Sequence, residues 1–437
     1  MRSQLRTTAR FATLFLSLFF LGSAALDAQT TEVTDWTRIM LQAMQTAGNN
    51  PMVASRNAAI VEASVFDAVN GVKGKYTAIH VAPAAPKGTS ARAAAVQAAY
   101  ASLVRLYPLQ TSTFDAARTN SLTAILAISG GDNRQQNVQD SVSAGVLWGQ
   151  QVADQIWTWR STDGFSSIVS PFLGGTAVGQ WRPTPPAFLP GALPQFATMT
   201  PWVLLAPDQF RPAGPQALIG AQYATDLNET KIMGSATSLA RTADQTLFVK
   251  FWASAPATYF WNKVALELAA QEDMPLIEHA HLFGALNVAI ADAVIADWDA
   301  KYYYSFWRPV TAIALADTDG NPATDADPTW MPLLTTPNFP EYPSAHSAFS
   351  SAGTTILANF FGANTPFSVD SFAMPGVTRS FASFDDALAE LVNARVFGGI
   401  HFRSSCNDGQ TLGTAVGTYV LENAFLPGSG DDVENEN

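Results

Sequence analysis

The chain has 437 residues, 48% of them hydrophobic and 14% charged, so it can bury a substantial core and is not a disordered polypeptide. Its formal net charge is −12, and taking away residues 1–28 removes Arg2, Arg6, Arg10 and Asp27 to leave about −14. So acidic a surface argues against nucleic acid or anionic membranes as partners, and the lone Cys406 excludes an internal disulfide.

The N-terminus carries Arg2, Arg6 and Arg10, then the apolar run Phe11–Leu21, then small residues, with cleavage offered at Ser23-Ala24-Ala25 or after Ala28. That pattern predicts a signal peptide over residues 1–28 and a secreted or periplasmic protein. No later uninterrupted apolar stretch reaches the length of a membrane span, so no membrane partner is expected. Residues 29–160 read as an N-terminal helical bundle. Helices are predicted at Asn57–Val72, where Asp67 needs a partner, at Ala91–Leu106, at Phe114–Ser129 before Gly130-Gly131, and at Arg134–Trp159. Residues 161–215 are rich in Pro, Gly and aromatics without a period, and are too long for a plain connector, so they wrap the surface or cover a site. Residues 216–427 form a C-terminal bundle, with helical patterns at Pro215–Leu227, Ala243–Ala253, Thr258–Gln271, Leu276 to about Arg308, Ser344–Phe361, Asp385–Phe397 and Gly409–Phe425. Residues 428–437 are an acidic tail. The fold class is all-α, as two four-helix-type bundles with long irregular loops. His279 and His281, two apart, point to different sides and are not read as metal ligands. The acidic stretch Asp317, Asp319, Asn321, Asp325 and Asp327 lacks the pattern of a calcium loop and reads as a solvated turn.

Chemistry concentrates in three blocks. Lys301 and Arg308 are seven apart, on one face of a helix, and Pro309 places Arg308 near a helix end. Pro343-Ser344-Ala345-His346 supplies a hydroxyl, backbone N–H groups and an imidazole within one turn, which suits an anion with a proton shuttle beside it. Arg395 and His401 flank Gly398-Gly399, a break that lets the two side chains converge. Three cations, a hydroxyl and two imidazoles are what a tetrahedral oxyanion requires. Asp292 and Asp299, also seven apart, share a face of the long helix, and a buried Asp292 is expected to pair with Arg395 or Arg308 behind the site.

In order and internal spacing these blocks resemble the signature shared by vanadium-dependent haloperoxidases and type 2 phosphatidic acid phosphatases. The surrounding text, from Asn49-Asn50-Pro51 and Ser55-Arg56 through Asn228-Glu229 and Arg241-Thr242 to His401-Phe402-Arg403, is similar to bacterial haloperoxidase-like proteins. Ala345 stands where that family usually has Gly, and must aim its N–H at the anion despite its Cβ; Ala394 stands where it usually has Ser. The resemblance implies that His401 binds vanadium or, in a phosphatase, attacks phosphorus. It implies that Lys301, Arg308 and Arg395 neutralise the equatorial oxygens with help from Ser344 and the Ala345 N–H, and that His346 is the acid/base group. Vanadate is the implied cofactor, and phosphate fits the same site because both chemistries pass through a five-coordinate centre. Trp298 and Phe339 resemble the aromatic pair flanking the halide site in the chloroperoxidases of the family.

The resulting expectation is a vanadium-dependent haloperoxidase that oxidises halide with hydrogen peroxide to hypohalous acid and passes it to a small organic acceptor, with a homo-oligomer allowed. Secreted acid phosphatase with His401 as nucleophile is the second reading. A non-catalytic oxyanion-binding helical protein is the third.

Overall fold

The computed structural model describes residues 31–127 and 135–428, with thirteen α-helices and one short hairpin among them. The signal-peptide stretch 1–28, the Gly130-Gly131 break and the acidic tail from residue 429 lie outside the described residues.

Local chemistry sets most helix ends. Helix α1 (Glu32–Ala47), for which the sequence pattern gave no expectation, opens on a reciprocal Thr31–Thr34 capping box. Helix α2 (Pro51–Lys73) starts with the Asn50 side chain accepting from the Met52 N–H and Pro51 in its first turn, and stops at Gly74 in the left-handed region. Helices α3 (Ala91–Leu106), α4 (Thr111–Ala127) and α5 (Gln135–Arg160) complete the N-terminal half. After the irregular segment 161–220 come α6 (Ala221–Met233), α7 (Ala243–Trp252) and α8 (Ala257–Ala269), then the 29-residue α9 (Leu276–Tyr304) and the short α10 (Pro309–Ala314). Helix α11 (Ala345–Phe361) is followed by strands β1 (Phe367–Asp370) and β2 (Thr378–Phe381), paired antiparallel with Phe367 opposite Phe381. Helices α12 (Phe384–Phe397) and α13 (Arg403–Asn423) close the chain. The long helix ends at Tyr304 rather than near Arg308, because Ser305 turns left-handed (φ 46°) and a second helix begins at Pro309.

Helix α9 is the axle. It packs against α2 on the N-terminal side and against α11 and α13 on the other, so one apolar core runs through both halves. Between Leu276 and Tyr304 it is long and apolar enough to cross a membrane, contrary to the sequence expectation, but 94% of its most apolar window is buried inside the fold. Helix α13 approaches α11 backbone to backbone: a Cβ on Gly413 would lie 2.0 Å from the Ala348 carbonyl oxygen, and one on Gly409 would lie 2.6 Å from that of Ser344. That contact fixes the start of α11.

Buried carboxylates tie the irregular segments to the helices. Asp67, in α2, accepts from the N–H groups of Ile79, His80 and Val81 at 2.7–2.9 Å. Asp292, in α9, accepts from those of Trp202, Val203 and Leu204 at 2.6–3.0 Å. Elsewhere in segment 161–220, the Ala192 carbonyl accepts from Trp298 Nε1 (3.2 Å) and the Tyr302 hydroxyl (2.5 Å), binding the segment to the C-terminal end of α9. The acidic stretch is less solvated than its composition suggests. Asp319, Asn321 and Thr324 are buried and close on one another, the Asp319 carboxylate accepting from the Thr324 hydroxyl and the Asn321 N–H. His279 points at the Thr31 hydroxyl (3.1 Å), while His281 lies against the Tyr76 ring, so the two diverge as expected.

Candidate active site

Four segments meet where α9 ends. Lys301, in the last turn of α9, is fully buried, and its ammonium donates to the carbonyls of Pro340 (3.3 Å), Glu341 (3.0 Å) and Pro343. Asp297, one turn earlier, is 3.8 Å away. Arg308 is the N-cap of α10, held in extended geometry before Pro309; its Nε donates to the Phe339 carbonyl (2.9 Å) and its Nη1 to that of Ile400 (2.8 Å). The same Nη1 faces Nε2 of His401 at 3.2 Å. Ser344 is the N-cap of α11, with no side chain capping that terminus, so the Ala345 and His346 N–H groups stand at the positive end of the helix dipole. Arg395 lies in the last turn of α12, and the chain then reverses through Gly398 and Gly399 to His401. Gly399 has φ 75°, and a Cβ there would sit 2.5 Å from the Gly234 carbonyl oxygen, so this turn admits only glycine.

The electrostatics suit negative charge. Lys301, Arg308 and Arg395 are all buried, and burial pushes their pKa values down, to about 8 for Lys301, about 9 for Arg308 and about 10 for Arg395. The two carboxylates facing them, Asp297 and Glu341, are both pushed up to about 7, again by burial. Both imidazoles are held well below their usual pKa. For His346 the causes are burial and then the charges of Arg395, Lys301 and Arg308; for His401 they are burial and then Arg308, Lys301 and Arg395. Lys301, Arg308, His346, Arg395 and His401, from three distant blocks, therefore share one electrostatic environment. Arg308 Nη2 and Arg395 Nε and Nη1 are buried with no hydrogen-bond acceptor. Orphaned guanidinium donors are costly, and a tetrahedral oxyanion carrying several negative charges fits them, the open α11 terminus and the Ser344 hydroxyl. Vanadate and phosphate both have that form.

Aromatic rings wall the cluster on one side. Trp298 and Phe339 have centroids 4.9 Å apart, and the Phe339 ring lies 5.4 Å from the Lys301 ammonium and 4.8 Å from the Arg308 guanidinium carbon. Trp298 is completely buried.

Asp292 does not stand behind the site. It precedes Lys301 by nine residues, a helical rise of about 13 Å, and it meets the loop N–H groups of residues 202–204 and the charge of Arg160, rather than Arg395 or Arg308. Asp299 pairs with Arg211 through two hydrogen bonds of 2.6 and 2.8 Å. The carboxylates that do face the cluster, Asp297 and Glu341, went unremarked in the sequence. Asp297 was legible, since it is four residues before Lys301 and so on its face. Glu341 lies in the aperiodic Pro340-Glu341-Tyr342-Pro343, where no spacing betrays which way a side chain points. Its Oε1 lies 2.8 Å from Nδ1 of His401 and also accepts from the Phe402 N–H at 3.0 Å.

Known proteins share this sequence pattern and this fold. Residues 281–426 match the family model described as the VCPO second helical-bundle domain, which contains every block of the cluster. The chain is 28% identical over 195 residues to vanadium chloroperoxidase from Curvularia inaequalis, covering 38% of this chain; it spans about a third (31%) of that curated relative. Its fold superposes on the crystal structure of the first bacterial vanadium-dependent iodoperoxidase with a TM-score of 0.78 and 26% identity, over 92% of this chain and 97% of the other. A bacterial vanadium-dependent chloroperoxidase in its apo form gives 0.67 at 17% identity, over 85% and 93% of the two chains, a likeness of fold. The domain match over residues 281–426 and an all-α fold shared over most of the chain make this chain similar to the vanadium-dependent haloperoxidases in sequence and in fold.

Proposed function

We propose that this protein is a vanadium-dependent haloperoxidase that oxidises a halide ion with hydrogen peroxide and releases a hypohalous-acid-type oxidant to a small organic acceptor. The observation that carries the reading is that the buried guanidinium groups of Arg308 and Arg395 both keep donors without an acceptor, feel each other's charge, and act on His401, whose Nε2 faces Arg308. Bound vanadate would supply a Lewis-acid centre that activates peroxide without itself changing oxidation state.

The chain's own residues do the rest. Lys301, Arg308 and Arg395 balance the anion's charge in a site too buried for water to do so, and Ser344 with the Ala345 N–H completes the donor set. His401 presents a neutral ring nitrogen. His346, also held neutral, can take a proton from incoming peroxide and return it to the leaving oxidant. Trp298 and Phe339 strip water from a halide approaching Lys301. The pattern of residues 1–28 supports export of the enzyme.

The test is purified protein assayed with peroxide and iodide, bromide or chloride for halogenation of a phenolic dye, with and without orthovanadate, beside phosphate-ester hydrolysis without it. Vanadate-dependent halogenation is expected. Hydrolysis alone would replace this reading by an acid phosphatase, and anion binding with neither activity by a non-catalytic oxyanion-binding protein.

A further inference from the structure

We infer that Glu341 is a positioning residue that fixes His401 in a single tautomer, with the proton on Nδ1 and the lone pair of Nε2 aimed into the oxyanion cradle. The inference rests on the reading of the site as an oxyanion cradle, but not on which reaction it runs.

Two contacts on opposite edges of the imidazole require the same answer. Nε2 lies 3.2 Å from Arg308 Nη1. A guanidinium only donates, so Nε2 must accept and cannot carry the proton. Nδ1 lies 2.8 Å from Glu341 Oε1. That oxygen already accepts from the Phe402 N–H at 3.0 Å, so any proton on the carboxyl belongs on Oε2, and Oε1 remains an acceptor in either ionisation state. Nδ1 therefore donates. The ring is 1% exposed, which leaves no water to support the other tautomer.

Glu341 is itself fixed at three points. Its N–H donates to the Phe306 carbonyl at 2.9 Å, its own carbonyl accepts from Lys301, and its side chain takes the Phe402 N–H. It is fully buried, and its Oε1 alone takes both the Nδ1 and the Phe402 contacts. One residue thus couples the lysine of the cradle, through its backbone, to the histidine of the cradle, through its side chain. A partner on the distal ring nitrogen that sets orientation and basicity is a general device for metal-ligating histidines.

The test uses the full chain without vanadate, ¹⁵N-labelled on histidine, together with orthovanadate titration of unlabelled protein. Wild type should show His401 with a protonated Nδ1 and an unprotonated Nε2. E341Q keeps an acceptor oxygen at the same place without the charge, and should hold this tautomer and bind orthovanadate within about threefold of wild type. E341L removes the acceptor, and should populate the Nε2–H form and weaken orthovanadate binding about 10- to 100-fold. A wild-type spectrum with the proton on Nε2 overturns the inference whether or not either variant folds. So does E341L with unchanged tautomer and affinity. Absence of halogenation in wild type would remove the proposed function while leaving the tautomer result intact.

Discussion

At the scale of single residues, the two histidines differ in what surrounds them. His401 is clasped between Glu341 and Arg308, whereas His346 sits at an open helix terminus under the field of three cations. Removing His401 should therefore abolish orthovanadate binding, measured by titration of H401A. Removing His346 should leave binding nearly intact and lower turnover by roughly 10²–10⁴-fold, the usual worth of a positioned acid/base group. Equal and full activity in both variants would refute the site. Lys301 gives the pH dependence. Burial lowers its pKa to about 8, so its charge is present below that value and lost above it. Affinity for inorganic phosphate or vanadate should fall as pH rises through 8, read as the ratio of dissociation constants at pH 7 and pH 9.5, and K301M should flatten that fall.

At the scale of elements, the sequence spoke where a period or a breaker exists. The start of α3 at Ala91 and its end at Leu106, the ends of α11 and α12 at Phe361 and Phe397, and the break after α12 at Gly398-Gly399 all follow from spacing and turn chemistry. What failed was pairing across the chain. The seven-residue interval between Asp292 and Asp299 is real, yet their partners come from residues 202–204 and from Arg211, in a segment with no period to read. The short β1–β2 hairpin likewise escaped notice, because four-residue strands carry too little alternation to register. The glycine turn after α12 offers a direct test. G399A forces a side chain into left-handed backbone against the Gly234 carbonyl and Pro332. It should shift His401 relative to Arg395, weakening orthovanadate binding by about tenfold or more and lowering the melting temperature, with strain of about 1–3 kcal/mol. Unchanged binding in a folded G399A would mean that the turn does not set the spacing of the cradle.

At the scale of the whole molecule, one core joins the two halves through α2 and α9, and not every polar group inside it serves the cradle. Glu62, in α2, is buried, accepts a hydrogen bond from the Thr37 hydroxyl at 2.8 Å, and burial pushes its pKa up to about 8 from a usual 4.5. The folded state thus holds a proton that the unfolded chain gives up above pH 4.5. Its contribution to stability is complete below pH 4.5 and is lost as pH rises through 8. E62Q should therefore melt at least about 2 °C higher than wild type at pH 9 and within about 1 °C of it at pH 5; equal melting curves at both values would remove Glu62 from the pH response.

Under the proposed export, helix α9 also bears on how the chain would cross a membrane. A 29-residue segment this apolar invites a secretion channel to release it sideways into lipid. Asp292 lies near the middle of that segment, where a charge costs about 2.5–3.5 kcal/mol on translocon insertion, and Asp297, Asp299 and Lys301 follow toward its end. In the proposed export, the groups that anchor a loop and face the site cations in the finished fold would thus also oppose release of the unfolded helix into lipid.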